Sequence, residues 1–187
     1  MPIHHRARGP RRGGPGALAL AALLAVAAVG AAAADQRPAE DPVVLSGDLG
    51  ERVQLVRGWR YHPGDEPSWA GPGLDDADWA VVSSSLPSSD EPAGGWPGIG
   101  WFRRRVVLAE GMPATALAIR IEQNGASEVF LDGRPVARWG TVSADPAGER
   151  PVYPNDFVGI ALEPGRTHVL AVRYSNSRGN SIMGGTR

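Results

Sequence analysis

The sequence of 187 residues contains no cysteine and no lysine. Without cysteine, the chain can form no disulfide, no thiolate metal site and no cysteine nucleophile. Aromatic residues make up only 6% of the chain, but six of them are tryptophans. A buried tryptophan removes a large apolar area from water, so we expect a tryptophan-rich core to supply the stability that disulfides cannot.

The N-terminus has the pattern of a secretory signal peptide. Four arginines fall between residues 6 and 12, residues 17–29 are apolar (ALALAALLAVAAV), and three alanines at 32–34 precede Asp35. This order of basic, apolar and small residues predicts export and cleavage after residue 34. An uncleaved anchor is the alternative, because the apolar run reaches about 18 residues when it is extended to residue 34, near the lower limit for spanning a bilayer.

Acidic residues outnumber basic ones once the signal peptide is removed. The signal peptide holds four arginines and no acidic residue, so 15 of the 19 basic side chains remain against all 20 acidic ones, a net charge of −5. Nucleic-acid binding depends on clustered positive charge that neutralises phosphates. We therefore expect no nucleic-acid partner. The sequence leaves the oligomeric state open.

Amphipathic helices are also missing, and short apolar stretches separated by Gly, Pro, Asp and Ser take their place. Leu117, Ile119 and Ile121 share one face of residues 115–122, which is the two-residue period of a half-buried strand. Many short strands with regular turn signals predict an all-β fold, an antiparallel β-sandwich or jelly roll. The predicted strands are residues 43–45, 54–55, 59–61, 101–108, 115–122, 128–131, 135–139, 157–162 and 167–174.

Three local features refine this picture. The Asp-Gly pair at 132–133 predicts a type I′ hairpin turn. Arg104 falls on the apolar face of its strand, so it needs a partner or a position near the strand end. His168 lies within a strand pattern, where packing or cross-strand hydrogen bonding is the ordinary role.

The loop-rich stretches 63–100 and 141–155 are expected to gather at the ends of the sheets, where a rigid scaffold presents binding residues.

Paired carboxylates are one candidate for a catalytic site, because two of them can cleave a glycosidic bond when they are about 5–10 Å apart. Glu128 and Asp132 flank the predicted hairpin. The turn accounts for Asp132, and Glu128 is expected to pair with an arginine, such as Arg103 or Arg105. No nucleophile motif occurs either. We predict no catalytic residue.

The acidic run at 75–78 is a candidate metal site, because calcium takes several carboxylate and carbonyl oxygens. The run lacks the spacing of a calcium loop, and it is better explained by turning the chain before Trp79 packs inward. The sequence predicts no metal and no cofactor.

Three segments carry a resemblance to a known fold. Residues 58–65 read GWRYHPGD and are followed by Trp69 and by DDADW at 75–79. Residues 95–103 read GWPGIGWFR, and residues 123–133 read QNGASEVFLDG. In this order they resemble the galactose-binding-like jelly roll, including the sugar-binding-like domain of family 2 glycoside hydrolases. The forms of the last two segments are similar to extracytoplasmic input domains of bacterial membrane sensors with a histidine kinase, phosphatase or nucleotide cyclase.

The resemblance implies a binding or sensory domain that is itself not an enzyme. The first hypothesis is the input domain of a membrane-anchored signalling protein, present here as an N-terminal fragment, in which a small molecule or saccharide shifts an equilibrium in the missing membrane region. The alternatives are the non-catalytic N-terminal module of a secreted glycoside hydrolase and a free-standing secreted carbohydrate-binding protein. The expected organisation is a signal peptide (1–34), a flexible leader (35–42), the sandwich (43–175) and a polar linker or truncated end (176–187).

Ligand contacts are expected at loops, where an aromatic face can stack on a sugar ring. The stacking candidates are five tryptophans together with Tyr61 and Tyr153, and most of these rings are expected to fill the core. Trp96 is the best exception because it lies in a loop between a glycine and a proline. The predicted ligand-binding residues are His62, Asp65, Trp69, Trp96 and Gln123.

Overall fold

The computed structural model describes residues 42–47, 52–87, 89–91, 95–113 and 116–179. The predicted signal peptide (1–34), the leader up to residue 41 and the tail from residue 180 lie outside the described residues. No helix among the described residues is long and apolar enough to span a membrane.

The described chain is all-β, as predicted, with nine strands and a short 3-10 helix at Pro67–Ala70. No α-helix occurs among the described residues. The strands are β1 (Val43–Leu45), β2 (Trp59–Pro63), β3 (Ala80–Val82), β4 (Ile99–Leu108), β5 (Ala116–Ile119), β6 (Ala126–Leu131), β7 (Arg134–Trp139), β8 (Val158–Ala161) and β9 (Thr167–Ser175).

Seven strands form one large sheet, in the order β3-β2-β4-β9-β6-β7, and β1 is added beside β4. β2 pairs with the first part of β4, from Gly100 to Arg103, and β1 pairs with its last part, from Val106 to Leu108. Both therefore lie on the same edge of β4. All pairs are antiparallel except β1 with β4.

A second sheet of two strands, β5 and β8, covers one face of the large sheet. Alternation along β4 places Phe102, Val106 and Leu108 on this inner face, where each is almost fully buried. Ile119 and Val158 from the small sheet pack against the cluster that contains Phe102, and Leu117 and Ile160 pack against Val106 and Leu108. The sandwich core therefore lies between the two sheets, as the two-residue period predicts. Its main cluster contains Trp59, Tyr61, Val82, Leu86, Phe102, Val129, Trp139, Leu170, Val172 and Tyr174.

The opposite, outer face of the large sheet is covered by the segment 64–79. Trp69, Ala70 and Trp79 from this segment pack against Trp101 of β4 and Ala171 of β9. The expectation that the long connection 63–100 gathers only at a sheet end is therefore wrong for its first part. The apolar outer face needs a cover of its own, and this segment, with its two tryptophans, provides it.

A buried ion pair attaches this cover to the sheet. Arg103 is fully buried, and its Nε donates to Oδ2 of Asp76 over 2.8 Å. Its Nη1 donates to the backbone oxygens of Trp69 and Gly71. Arg105 contacts the other carboxylate oxygen of Asp76 at 2.8 Å. Burial acts to raise the pKa of Asp76, but hydrogen bonds and the charges of both arginines lower it below its usual value.

The predicted hairpin turn is confirmed, because Asp132 and Gly133 have φ values of +50° and +80°. The carboxylate of Asp132 also accepts hydrogen bonds from the backbone N–H of Val169 (2.8 Å) and from Nδ1 of His168 (2.7 Å). Nε2 of His168 accepts from the backbone N–H of Glu163. This fixes the neutral tautomer with its proton on Nδ1, so His168 ties the hairpin to β9 in the cross-strand role expected of it.

Some strand predictions were wrong. Residues 54–55 form no strand; instead the backbone oxygen of Leu55 accepts from the Trp59 indole at 2.7 Å. The sequence did not indicate β3, which is only three residues long and pairs with β2. The pairing of β3 is decided by β2, about 20 residues earlier in the chain, and no local pattern shows it.

Arg104 has the partner that its position on an apolar face requires. Its side chain is buried, and Nη1 donates to the backbone oxygen of Gly58. Glu128, by contrast, does not pair with Arg103 or Arg105. It binds Arg138 of β7 and Arg173 of β9, because the register places both directly beside it.

Replacing Asp76 by asparagine tests the ion pair. We expect Asp76→Asn to lower the free energy of unfolding by about 3 kcal/mol, because it leaves the buried charge of Arg103 without its counter-ion. Since the folded-state pKa of Asp76 is lowered, its contribution is present at neutral pH and is lost as the pH falls below about 4. Urea unfolding at pH 7 and pH 3 measures both effects.

The matched control is Asp78→Asn, since Asp78 is exposed two residues away. It should change the unfolding free energy by less than about 0.5 kcal/mol. Equal effects of the two variants at pH 7, or an Asp76 effect that is undiminished at pH 3, would contradict the role assigned to the ion pair.

Candidate functional site

Five strands of the large sheet begin or end at the same level. β2 ends where β4 begins, with Pro63 opposite Gly100. β9 ends at Ser175. This residue pairs with Ile99 at the start of β4 and with Ala126 at the start of β6. β7 ends one residue along, with Trp139 opposite Ser127. The loops that leave these strands therefore meet at one end of the sandwich, which we call the strand-end site.

His62 lies inside β2 and not in a loop as expected, because β2 continues to Pro63. Its ring lies on the outer face, with centroids 4.5 Å from Trp69 and 5.1 Å from Trp79. Nδ1 contacts the backbone oxygen of Pro63 at 2.7 Å. Trp69, in the 3-10 helix, is half-buried in the same aromatic group. Two of the predicted binding residues are thus brought into direct contact.

Asp65 lies beside this group and is the first member of a chain of charges. Its two carboxylate oxygens accept from Nε and Nη2 of Arg173, both at 2.6 Å. Nη1 of Arg173 donates to Glu128 at 2.8 Å, and Glu128 also binds Arg138. The hydrogen bonds to Asp65 and Glu128 raise the pKa of Arg173 against the effect of its burial. Burial acts to raise the pKa of Glu128, but the two arginines lower it.

Trp96 contributes to the core from its loop. Its ring centroid is 6.1 Å from Tyr61, 6.5 Å from Phe102 and 5.8 Å from Tyr174. The indole N–H donates to the backbone oxygen of Asn176 at 2.9 Å. Trp96 is half-buried, so it packs the loop that enters β4 onto the inner face and retains a partly accessible edge.

Gln123 holds two loops of the strand-end site together. It is 3% exposed, and its Nε2 donates to the backbone oxygens of Gly125 (3.0 Å) and Val152 (3.2 Å). The backbone N–H of Val152 in turn donates to Gly125. A Cβ at Gly125 would lie 2.0 Å from the oxygen of Ser175, so only glycine fits there. Gln123 is therefore covered by these loops. It attaches the loop between β7 and β8, which we call the 141–157 loop, to the sheet.

Glu149 is a buried carboxylate in that same loop, and sequence reasoning missed it. Its Oε2 accepts from the backbone N–H (3.0 Å) and the hydroxyl (2.6 Å) of Ser177. Burial acts to raise the pKa of Glu149, but the hydrogen bonds of Ser177 lower it. The predicted linker from residue 176 therefore begins inside the fold: Asn176 is 5% exposed, and Ser177 is bonded to the loop.

The exposed aromatic rings are Tyr153 and Phe157, not the tryptophans. Tyr153 is 74% exposed and Phe157 is 62% exposed, and both lie in or beside the 141–157 loop. Arg120 lies over the Phe157 ring, 5.9 Å from its centroid. The sequence indicated Tyr153 as a stacking candidate but placed Phe157 in a strand. Its exposure follows from its position just before β8, which begins at Val158.

Of the five predicted binding residues, Trp96 and Gln123 lie in loops of the strand-end site. Asp65 and Trp69 belong to the segment that covers the outer face, and His62 lies near the end of β2 in contact with Trp69. His62, Asp65 and Trp69 belong to the outer side, and Trp96 and Gln123 to the inner side. Glu128 holds its proton weakly, since its two arginine partners lower its pKa against the effect of burial. Among the described residues, no three His, Asp or Glu side chains are grouped closely enough to hold a metal ion. The arrangement offers exposed aromatic faces beside polar groups.

Comparison with solved structures places this fold beside one group of enzymes. A glycosyl hydrolase family 2 member from Bacteroides cellulosilyticus is similar with a TM-score of 0.50 and 19% identity, over 72% of this chain and 19% of that one. A calcium-binding mutant of Bacteroides uniformis beta-glucuronidase 2 is similar with a TM-score of 0.50 and 20% identity, over 68% of this chain and 15% of that one. At such identity the likeness shows the fold: an antiparallel β-sandwich found as one domain of these hydrolases.

This chain matches only a small part of those proteins. It covers between 14% and 19% of the length of the first five similar structures. No protein-family model matches the sequence. No curated protein matches it either.

Truncating Trp96 separates its packing role from a binding role. We expect Trp96→Ala to lower the free energy of unfolding by about 3 kcal/mol, because the ring fills space between three core aromatics. Tyr153→Ala, which removes an exposed ring, should change it by less than about 0.5 kcal/mol. Thermal unfolding of both variants measures this, and equal stability of Trp96→Ala and the parent protein would contradict the packing role.

Proposed function

We propose that this chain is a non-catalytic, carbohydrate-binding-like module that is exported and binds a saccharide at its strand-end site. The observation that carries the proposal is the exposure of Tyr153, whose ring is 74% accessible at the end where five strands and their loops meet. The fold likeness to glycosyl hydrolase family 2 structures supports the class of ligand, since those proteins act on glycosides.

Tyr153 suits this role for a physical reason. The apolar face of an aromatic ring packs against the C–H groups of a sugar, and its hydroxyl remains free to bond in water. A phenol has only two side-chain torsions to fix, so little conformational entropy is lost on binding. The loop that carries Tyr153 is held at Val152, whose backbone oxygen accepts from Gln123 and whose backbone N–H donates to Gly125. The ring is thus presented before the ligand arrives.

The neighbouring loops supply polar groups for a sugar. Asp65 and Arg173 on the outer side are 27% and 20% exposed at their side chains, although they bind each other. Asn124, which is half-exposed, precedes Gly125 at the start of β6. In our proposal such groups orient the saccharide, and Tyr153 supplies the apolar contact. His62, Asp65, Trp69, Trp96 and Gln123 remain predicted site residues.

In this proposal the module belongs to a glycoside hydrolase or acts as a separate carbohydrate-binding protein. The sensor role remains a prediction that rests on the sequence resemblance of residues 95–103 and 123–133. The likeness to hydrolase structures favours the carbohydrate-binding alternative.

The experiment is a panel of soluble oligosaccharides, neutral and acidic, titrated against residues 35–187 with Tyr153 intact and replaced. We expect Tyr153→Ala to weaken binding of the best saccharide about tenfold, because it removes the stacking surface. Tyr153→Phe keeps the ring and should stay within about twofold. Isothermal titration calorimetry measures both.

Val53→Ala is the control, because Val53 is an exposed apolar side chain (51%) distant in sequence from the strand-end loops. It should leave affinity unchanged. Binding that is insensitive to Tyr153→Ala would move the site elsewhere. No binding to any member of the panel would remove the carbohydrate proposal.

A further inference from the structure

A shallow cavity of about 300 Å³ opens beside the middle of β4, away from the strand-end site. β2 pairs with β4 as far as Arg103, and β1 begins to pair at Val106. Between these points the edge of β4 has no neighbouring strand among the described residues. Pro42, Gly58 and Ala77 contribute to the walls of the cavity that this gap leaves.

Four arginines line this cavity, and three of them, Arg60, Arg103 and Arg105, project from one face of the sheet. Arg60 of β2 is paired directly opposite Arg103 of β4, and Arg105 follows two residues along β4 on the same side. Because side chains alternate along a strand, these three guanidinium groups project to the outer face together. Such a cluster of like charges destabilises the fold unless acidic groups compensate it.

Compensation by the described carboxylates is incomplete. Asp76 is shared by Arg103 and Arg105, at 2.8 Å from each. Asp75 is exposed, and its Oδ1 accepts from the backbone N–H of Ala77 at 3.1 Å. The three outer-face arginines therefore face two carboxylates, Asp75 and Asp76, and Arg104 adds a fourth positive charge to the lining. Nη2 of Arg103 is buried and has no hydrogen-bond partner among the described atoms.

Arg60 is the least compensated of the three. Its Nη1 donates to the backbone oxygens of Ala77 (3.2 Å) and Trp79 (3.1 Å), which are neutral. No carboxylate in the described part of the chain lies within salt-bridge distance of it. These two bonds hold the guanidinium in place at the wall of the cavity.

The two accessible arginines differ from Arg103 in exposure. Arg103 is fully buried, whereas the side chain of Arg105 is 38% exposed and Arg60 is half-buried. A ligand in the cavity can therefore reach Arg60 and Arg105 directly. Arg103 is buried beneath them and would act on a ligand only through its charge. Salt screens that charge less, because the buried medium has a low dielectric constant.

We propose that this cavity binds an oxyanion, a carboxylate, sulfate or phosphate group carried by a ligand of about the size of one sugar unit, through Arg60 and Arg105. A guanidinium presents two N–H groups in a plane, which matches the two oxygens of such groups. A volume of about 300 Å³ is at the lower end of the range for ligand pockets. The site is separate from Tyr153 and goes beyond the proposed function.

The test uses isotope-labelled protein of residues 35–187 and NMR titration with sodium sulfate, sodium phosphate, sodium D-glucuronate and D-glucose at constant ionic strength. We expect saturable shifts of the backbone amides of Ala77 and Val81, which line the cavity, with at least one anion. D-glucose should leave these amides unshifted. The anion that binds most tightly identifies the group.

Arg105→Gln should weaken binding of that anion about tenfold, since it removes a charge-assisted contact. Arg60→Gln should have an effect of the same order. Arg134→Gln is the matched control, because Arg134 is exposed at the start of β7 and is absent from the cavity walls. It should change affinity less than about twofold. Near-UV circular dichroism establishes that each variant retains its tryptophan packing.

The proposal is overturned if no anion gives saturable shifts at Ala77 and Val81, if D-glucose shifts them equally, or if folded Arg105→Gln binds as the parent does. Tyr153→Ala distinguishes the two sites. It should leave anion binding at the cavity intact even if saccharide binding at the strand-end site fails.

Discussion

The ion pair between Arg103 and Asp76 is the interaction on which the outer half of this structure depends. Arg103 is fully buried, and a buried guanidinium is tolerated only where a counter-ion and hydrogen-bond acceptors surround it. Asp76 supplies the charge, and the backbone oxygens of Trp69 and Gly71 supply acceptors. Because these partners all belong to the segment 64–79, satisfying Arg103 requires that segment to cover the sheet.

The segment 64–79 in turn determines how the side chains on this face of the sheet are arranged. It places Trp69 and Trp79 against His62 and closes over Trp101. It also brings the backbone oxygen of Ala77 to Arg60, which fixes one wall of the arginine-lined cavity. Stability and the arrangement of charge on this face therefore have the same origin, and a change at Asp76 is expected to disturb both.

Loops at the strand-end site are held by a different means, namely single polar side chains that bind backbone groups of a neighbouring loop. Gln123 binds Val152, Trp96 binds Asn176, and Glu149 binds Ser177. Each bond is modest, but an unsatisfied buried donor or acceptor is costly, so together they limit loop motion. Exposed Tyr153 lies on a loop held by such bonds, which in the proposed function lowers the entropy lost when a saccharide binds.

Sequence patterns predicted the strands that are long enough to show their period. Eight of the nine strands overlap predicted ones, including the hairpin around Asp132, because alternation and turn chemistry are local properties. β3 was missed because it is defined by its pairing with β2, which is not a local property of the sequence. Glu128 pairs with arginines, as predicted, but which arginines it meets depends on register: β6 lies between β7 and β9, and this order brings Arg138 and Arg173 beside it.

The sequence by itself thus determined the all-β class, most strand positions, the sharp turn at 132–133 and the need of Arg104 for a partner. Each follows from steric or solvation constraints that act over a few residues. Only the tertiary structure decided that Arg60, Arg103 and Arg105 share one cavity and that five strand ends meet at one site. It also decided that Tyr153, and not a tryptophan, is exposed there. These are consequences of pairing between distant strands, whose free energy depends on the packing of the whole sandwich.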